Sequence, residues 1–159
     1  FHPIFNEFLF TYIHGSVTYV FDFAYYRCNP QKHFFGQTLI NSNSFSRAQC
    51  RVKHQAFLPP NNLKLSVFRI DGLTENNIWE IGILHVVKPL SLSSPSPKIL
   101  YGRADITTTD VQSVNLTVDP DDKPPRHANI VGWPTEKDKQ KIIALELAAK
   151  ATLKLNPNH

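Results

Sequence analysis

The stretch "FRIDGLTENNIWEIG", residues 68–82, decides the fold class. Its first residues complete an alternating segment that starts near Leu63, in which Leu65, Val67, Arg69 and Asp71 share one face of a strand. The chain then switches period. Thr74 suits a helix N-cap, Leu73 before it can staple against Ile78, and Gly82 suits the C′ position that closes the helix. The same grammar returns in "YGRADITTTDVQSVN", residues 101–115, where Thr107 suits the N-cap and Ile106 can staple against Val111. Each helix thus follows a strand that ends in Arg-x-Asp: Arg69 and Asp71 first, Arg103 and Asp105 second, 34 residues apart. Two copies are too few for a repeat array, but they predict two similar strand-to-helix corners.

A third helix is predicted from about Thr135 to Leu153, with Thr135 as its cap and Asp138 three residues on. Ile142, Leu145, Ala149 and Leu153 form one apolar stripe, with Ile143, Leu147 and Ala151 beside it. This broad face is expected to pack on a sheet, which would bury Leu145. Between the elements lie a Pro59-Pro60 turn after an extended "VKHQAF", a Ser/Pro loop "SLSSPSPK" and a strand "NLTVDP". The expected architecture is α+β. A small mixed or antiparallel sheet carries two short helices at strand ends and a C-terminal helix on one face.

Residues 1–48 read as an aromatic-rich hairpin and loop outside the core, and residues 49–155 as the α+β domain. Within the first part, "FLFTYIHGSVTYVFDFAYY" is long enough to raise a membrane span, but His14 and Asp22 lie inside it and a mid-bilayer Asp is costly. Alternation from Val17 to Tyr25 around a Gly15-Ser16 turn points to a β-hairpin instead. The chain has no methionine and opens on Phe1, as a fragment or a processed product would, and no secretory signal is evident at that end.

The 159 residues are one domain's worth of chain, with 42% hydrophobic and 19% charged residues, the composition of a globular protein. A net charge of +4 tilts slightly toward acidic partners, yet the 17 Lys and Arg are scattered, whereas a nucleic-acid surface usually clusters them. Cys28 and Cys50 lack metal-ligand spacing; they can pair, or stay reduced as small hydrophobes in a cytoplasmic protein. No glycine-rich phosphate loop, nucleophile elbow, HExxH or zinc set occurs, so the pattern implies neither a metal nor a cofactor.

The chemistry-bearing candidates gather at the two corners and in "PPRHANIVGWP", residues 124–134. The latter reads as a loop packed on one side through Ile130, Val131 and Trp133. A histidine side chain is suited to giving and taking protons at neutral pH, so His127 is the candidate acid–base, with Arg126 to hold an anion and Asn129 to orient a ligand. Asp71 or Asp105 is expected to reach the His127 ring and fix its tautomer, and Arg69, Arg103 and Arg126 to bind anionic oxygens. The structural alternatives are self-neutralising Arg-x-Asp pairs and a loop histidine bonded to a backbone carbonyl.

The segments "LSVFRIDGL", "GRADI" and "PRHANIVGWP" together resemble a group of short uncharacterised bacterial proteins, over residues 46–153. The resemblance implies no activity and assigns no residue a role. Two functions therefore stand side by side. One is a small protein that binds, or acts by acid–base chemistry on, a phosphate-bearing molecule or nucleic acid. The other is a protein–protein module that uses the aromatic N-terminal stretch as its contact surface.

Overall fold

The computed structural model describes residues 33–159. The hairpin expected between Glu7 and Arg27 lies outside them. The described chain forms a six-stranded sheet in the order β6-β7-β4-β1-β5-β8, in which every neighbouring pair is antiparallel. Its strands are β1 (Phe34–Leu39), β4 (Leu65–Arg69), β5 (Gly102–Thr107), β6 (Thr117–Pro120), β7 (His127–Val131) and β8 (Thr152–Leu155). Two short strands, β2 (Phe45–Ser46) and β3 (Arg51–Val52), pair as a separate ribbon. The helices are α1 (Glu75–Gly82), α2 (Lys88–Leu92), α3 (Thr108–Ser113) and α4 (Lys137–Lys150). The expected α+β class is the one found. Among the described residues no helix is long and apolar enough to cross a membrane.

Strand alternation sorts the sheet into two unlike faces. Phe35 and Leu39 of β1, Leu65 and Val67 of β4, Ala104 and Ile106 of β5, and Ala128 and Ile130 of β7 are all buried on one side. Phe57, Val111, Trp133, Ala144 and Leu147 join them in a single core cluster. Each large side chain removed from water there contributes about 1.5–3 kcal/mol, so this face carries most of the fold's stability. On the other face lie Ser66, Phe68, Arg103, Asp105, His127 and Asn129. Polar residues dominate it.

β1 corrects the expected domain boundary. The sequence reading left residues 1–48 outside the core, but Phe34–Leu39 is inserted between β4 and β5 at the centre of the sheet. Phe35, fully buried, opposes Ile106 on β5. Gly36 and two exposed or half-exposed polar neighbours dilute the strand signal of "FFGQTL", and aromatic residues upstream mask it further.

The two corners form as expected at their starts. Thr74 Oγ1 accepts from Asn77 N at 3.3 Å. Thr107 makes a reciprocal box with Asp110, its Oγ1 accepting from Asp110 N at 3.1 Å while Asp110 Oδ2 accepts from Thr107 N at 3.1 Å. The first helix does not end at Gly82, however. Gly82 has right-handed helical angles (φ −60°, ψ −41°), and the chain runs on through a π-helical turn, Ile83–Val87, into α2. The glycine lets the helix pack closely on Leu100, whose Cδ2 would lie 3.3 Å from an added Cβ. Likewise "HQAF" is not extended but a 3-10 turn, His54–Phe57, that buries Phe57.

α4 is shorter than expected, and of the expected apolar face it is the flank of Ile143, Leu147 and Ala151 that packs, not the stripe of Ile142 and Leu145. It starts at Lys137 without a side-chain cap and ends at Lys150, after which Thr152–Leu155 leaves as edge strand β8. Its buried residues are Gln140, Ala144, Leu147 and Ala148, whereas Ile142 is 58% and Leu145 49% exposed. Two alanines on one stripe let the helix approach the 3-10 turn closely, and that gain outweighs burying the larger Ile142 and Leu145. Gln140 joins the packed stripe because its Nε2 donates to Pro134 O at 2.7 Å. β8 is held by the same kind of close approach: a Cβ on Gly102 would meet Lys154 O at 2.5 Å.

Candidate functional site

The stretch expected as a loop is a hairpin. β6 and β7 pair in register from Thr117↔Val131 to Pro120↔Ala128, so residues 121–126 are only their connection. Asp121 N and Asp122 N both donate to His127 O (3.3 and 3.1 Å), and His127 N donates to Pro124 O at 3.0 Å. The Lys123–Pro124 peptide is cis, and Arg126 has φ +71°. Asp122 Oδ1 holds Arg126 N at 3.0 Å. β7 then alternates: Ala128 and Ile130 face the core, while His127, Asn129 and Val131 face away and are half-buried. Of the expected apolar anchors, Trp133 is buried and its Nε1 donates to Ile130 O at 3.0 Å; Val131 is not buried.

His127 sits between a carboxylate and a hydroxyl. Its Nδ1 lies 2.5 Å from Asp121 Oδ1, and its Nε2 lies 2.7 Å from Ser66 Oγ on the neighbouring strand β4. A carboxylate only accepts, so Nδ1 carries the ring proton and Nε2 is left as the acceptor for the Ser66 hydroxyl. The other Asp121 oxygen accepts from Asn129 Nδ2 at 3.1 Å, and Oδ1 also accepts from Lys123 N at 3.2 Å. Burial would raise the Asp121 carboxyl, but the bonds from His127, Lys123 and Asn129 outweigh it and hold it below the usual carboxylate value. The ring is 13% exposed and packs edge-on against Phe68, centroids 5.3 Å apart; Phe68 in turn stacks on His85 of the π turn at 6.0 Å. Ser66 is exposed. The result is a hydroxyl open to solvent, aimed at a base whose orientation is set from behind.

The residues expected to meet His127 do other things. Asp71 accepts from His33 Nδ1 at 2.8 Å and from Phe34 N at 2.6 Å, tying the start of β1 to the exit of β4. Asp105 accepts from Arg103 Nε at 2.7 Å, so the second Arg-x-Asp pair closes on itself. The expected Asp71 or Asp105 contact to His127 is thus replaced by Asp121. Asp71 is engaged at the start of β1 and Asp105 by Arg103 of its own strand, whereas the β6–β7 connection folds Asp121 back onto β7.

Of the three arginines, Arg103 and Arg126 bond elsewhere than at the imidazole, and Arg69 holds a register position on the opposite, Phe35 face of the sheet. Arg103, buried, makes a two-pronged bond to Glu75 (2.7 and 2.8 Å) and lies over the Trp79 ring at 4.6 Å, pinning α1 to β5. Burial opposes the Arg103 charge, but Glu75 and Asp105 raise its pKa beyond the ordinary arginine value. Glu75 is held below its usual range by the bond from Arg103, whereas burial pushes Asp105 up despite the same partner. Arg126 Nη1 donates to Asp71 O at 2.9 Å and Arg69 O at 3.4 Å, buckling the hairpin onto the end of β4. Arg69 N donates to Arg126 O at 2.9 Å on the same seam. Asn129, expected to orient a ligand, donates its Nδ2 to Asp121.

Ser66 and Asp121 were the residues missed. Alternation already separates Ser66 from Leu65 and Val67. Reading "VDPDDKPPRHANIV" as a hairpin would have placed an acidic turn beside His127. Among the described residues no group of three or more His, Cys, Asp or Glu could hold a metal ion. Comparison of the chain with protein-family models, curated proteins and solved structures finds no match.

Proposed function

We propose that Ser66, His127 and Asp121 form a nucleophile, base and orienting carboxylate for acyl transfer, and that the protein hydrolyses small neutral esters or thioesters. The observation that carries this reading is the unbroken line Ser66 Oγ–His127 Nε2 and His127 Nδ1–Asp121 Oδ1, at 2.7 and 2.5 Å. A weak nucleophile needs an adjacent base, and the base needs a third group to hold its tautomer. Both requirements are met within hydrogen-bond distance.

In this mechanism Ser66 Oγ attacks the carbonyl carbon while its proton passes to His127 Nε2. The imidazolium so formed faces the Asp121 carboxylate, which stabilises it. His127 then returns that proton to the departing alkoxide or thiolate, leaving an acyl ester on Ser66. Water, deprotonated by Nε2, attacks the ester; a carboxylic acid leaves and Ser66 regains its proton. A phosphate-bearing substrate or nucleic acid has less support, because Arg103 and Arg126 spend their donors on Glu75, Asp105 and backbone carbonyls.

The test is hydrolysis of p-nitrophenyl acetate and butyrate by the full chain and by Ser66→Ala and His127→Ala. Each variant is expected to lose at least about a hundredfold of the enzymatic rate, with its circular dichroism unchanged. Equal rates in all three proteins would overturn the proposal.

A further inference from the structure

We infer that the groove between α4 and the segment around β3 binds a peptide segment of a partner protein whose acidic residues flank one or two large apolar side chains. This groove is on the core side of the sheet, away from Ser66, and the inference is independent of the acyl-transfer reading. It has a volume of about 550 Å³, within the range that accepts several side chains. One wall is the outer face of α4, where Leu145 is 49% exposed beside the small Ala148 and Ala149. The other wall carries Arg51, Lys53 and His54.

Two features set the chemistry of the occupant. The first is apolar: Leu145 stands 49% exposed on a helix whose solvent face would ordinarily carry polar residues. The alanines behind Leu145 leave room for a large inserted side chain. The second is charge. Arg51 and Lys53 line the groove, no carboxylate does, and Lys141 precedes Leu145 by one helical turn. Among the described residues none of these three cations has an ion-pair partner. The carboxylate of that helical turn, Glu146, lies on the opposite flank, beside Ile142 and Ser113. An apolar slot rimmed by unpaired cations is complementary to an acidic peptide with apolar anchors and repels a basic one.

The experiment selects peptides from a random 12-residue displayed library against the immobilised full chain and measures affinities of the enriched sequences by fluorescence anisotropy. Enrichment of Asp or Glu beside Leu, Ile or Phe is expected. Affinity should fall tenfold or more in the double variant Arg51→Glu, Lys53→Glu and in Leu145→Ser, and several-fold as salt rises from about 50 to 300 mM. Both changes are at exposed or half-exposed sites, and unchanged circular dichroism separates lost binding from lost folding. No enrichment, or enriched peptides that bind both variants as well as the parent chain, would overturn the inference. So would cross-linking that shows residues 1–32 of the same chain filling the groove. Micromolar binding of laurate there, with no peptide binding, would assign the groove to a small anionic lipid and overturn it equally.

Discussion

Asp121 is exposed in the β6–β7 connection, yet its two oxygens serve His127, Asn129 and the Lys123 amide together. Replacing it with Asn would put a donor or a neutral acceptor opposite Nδ1 and allow the ring to turn its proton to Nε2, facing Ser66. Asp121→Asn is therefore expected to lower ester hydrolysis by about 10²–10⁴ with little effect on folding. Nitrogen-15 NMR of the imidazole should show the Nδ1–H tautomer in the parent chain and lose it in the variant. A carboxyl depressed by its partners also links folding to pH. Its contribution is fully present above the unfolded value of about 3.9 and is lost as pH falls through the lower folded value. Acid titration of the parent and of Asp121→Asn should show the parent's extra loss of stability only below about pH 4; parallel curves would remove Asp121 from the linkage.

α4 shows how far an apolar pattern can be read and where it fails. Its existence follows from periodicity, but seven apolar positions span more than one face, and nothing in one dimension says which stripe packs. The small Ala144 and Ala148 beside Leu147 decide it, by allowing close approach. Leu147→Ala should cost about 2–5 kcal/mol, whereas Leu145→Ala should stay within about 0.5 kcal/mol; urea midpoints of the two variants check the assignment. β8 depends on contact between backbones. Gly102→Ala forces a Cβ against Lys154 O and is expected to cost about 1–3 kcal/mol, with faster amide exchange at Lys154 and Asn156, whose N–H groups face β5. Unchanged exchange at those two amides would mean that β8 is held by something else. The corners around Thr74 and Thr107 were legible because a cap is a local interaction between residues three apart. β1 was not, since a central strand is recognised by its neighbours on both sides and Phe34–Leu39 finds them 30 and more residues away.

Among the described residues, the two faces of the six-stranded sheet do different work. The apolar face holds the fold together through the core beneath α4, and the polar face is free to bring side chains from separate strands together. Register makes the candidate site: Phe68 opposes His127 and Ser66 opposes Asn129 across β4 and β7, so a nucleophile and its base meet from positions 61 residues apart. Sequence pattern identified His127 and Asn129 and the α+β class, but no local pattern encodes a cross-strand pairing between β4 and β7. Asp71 and Asp105 stand out in the sequence beside arginines near strand ends, but they bond to His33, Phe34 and Arg103, and the carboxylate beside His127 is Asp121. In the proposed mechanism everything depends on His127 making the Ser66 hydroxyl nucleophilic. The most direct measurement is covalent labelling of the full chain by a fluorophosphonate, with the modified residue located by mass spectrometry of its peptides. The expected result is one phosphonyl group per chain, on Ser66, with labelling abolished in His127→Ala. No labelling of Ser66, or labelling that proceeds at the same rate without His127, would contradict the account.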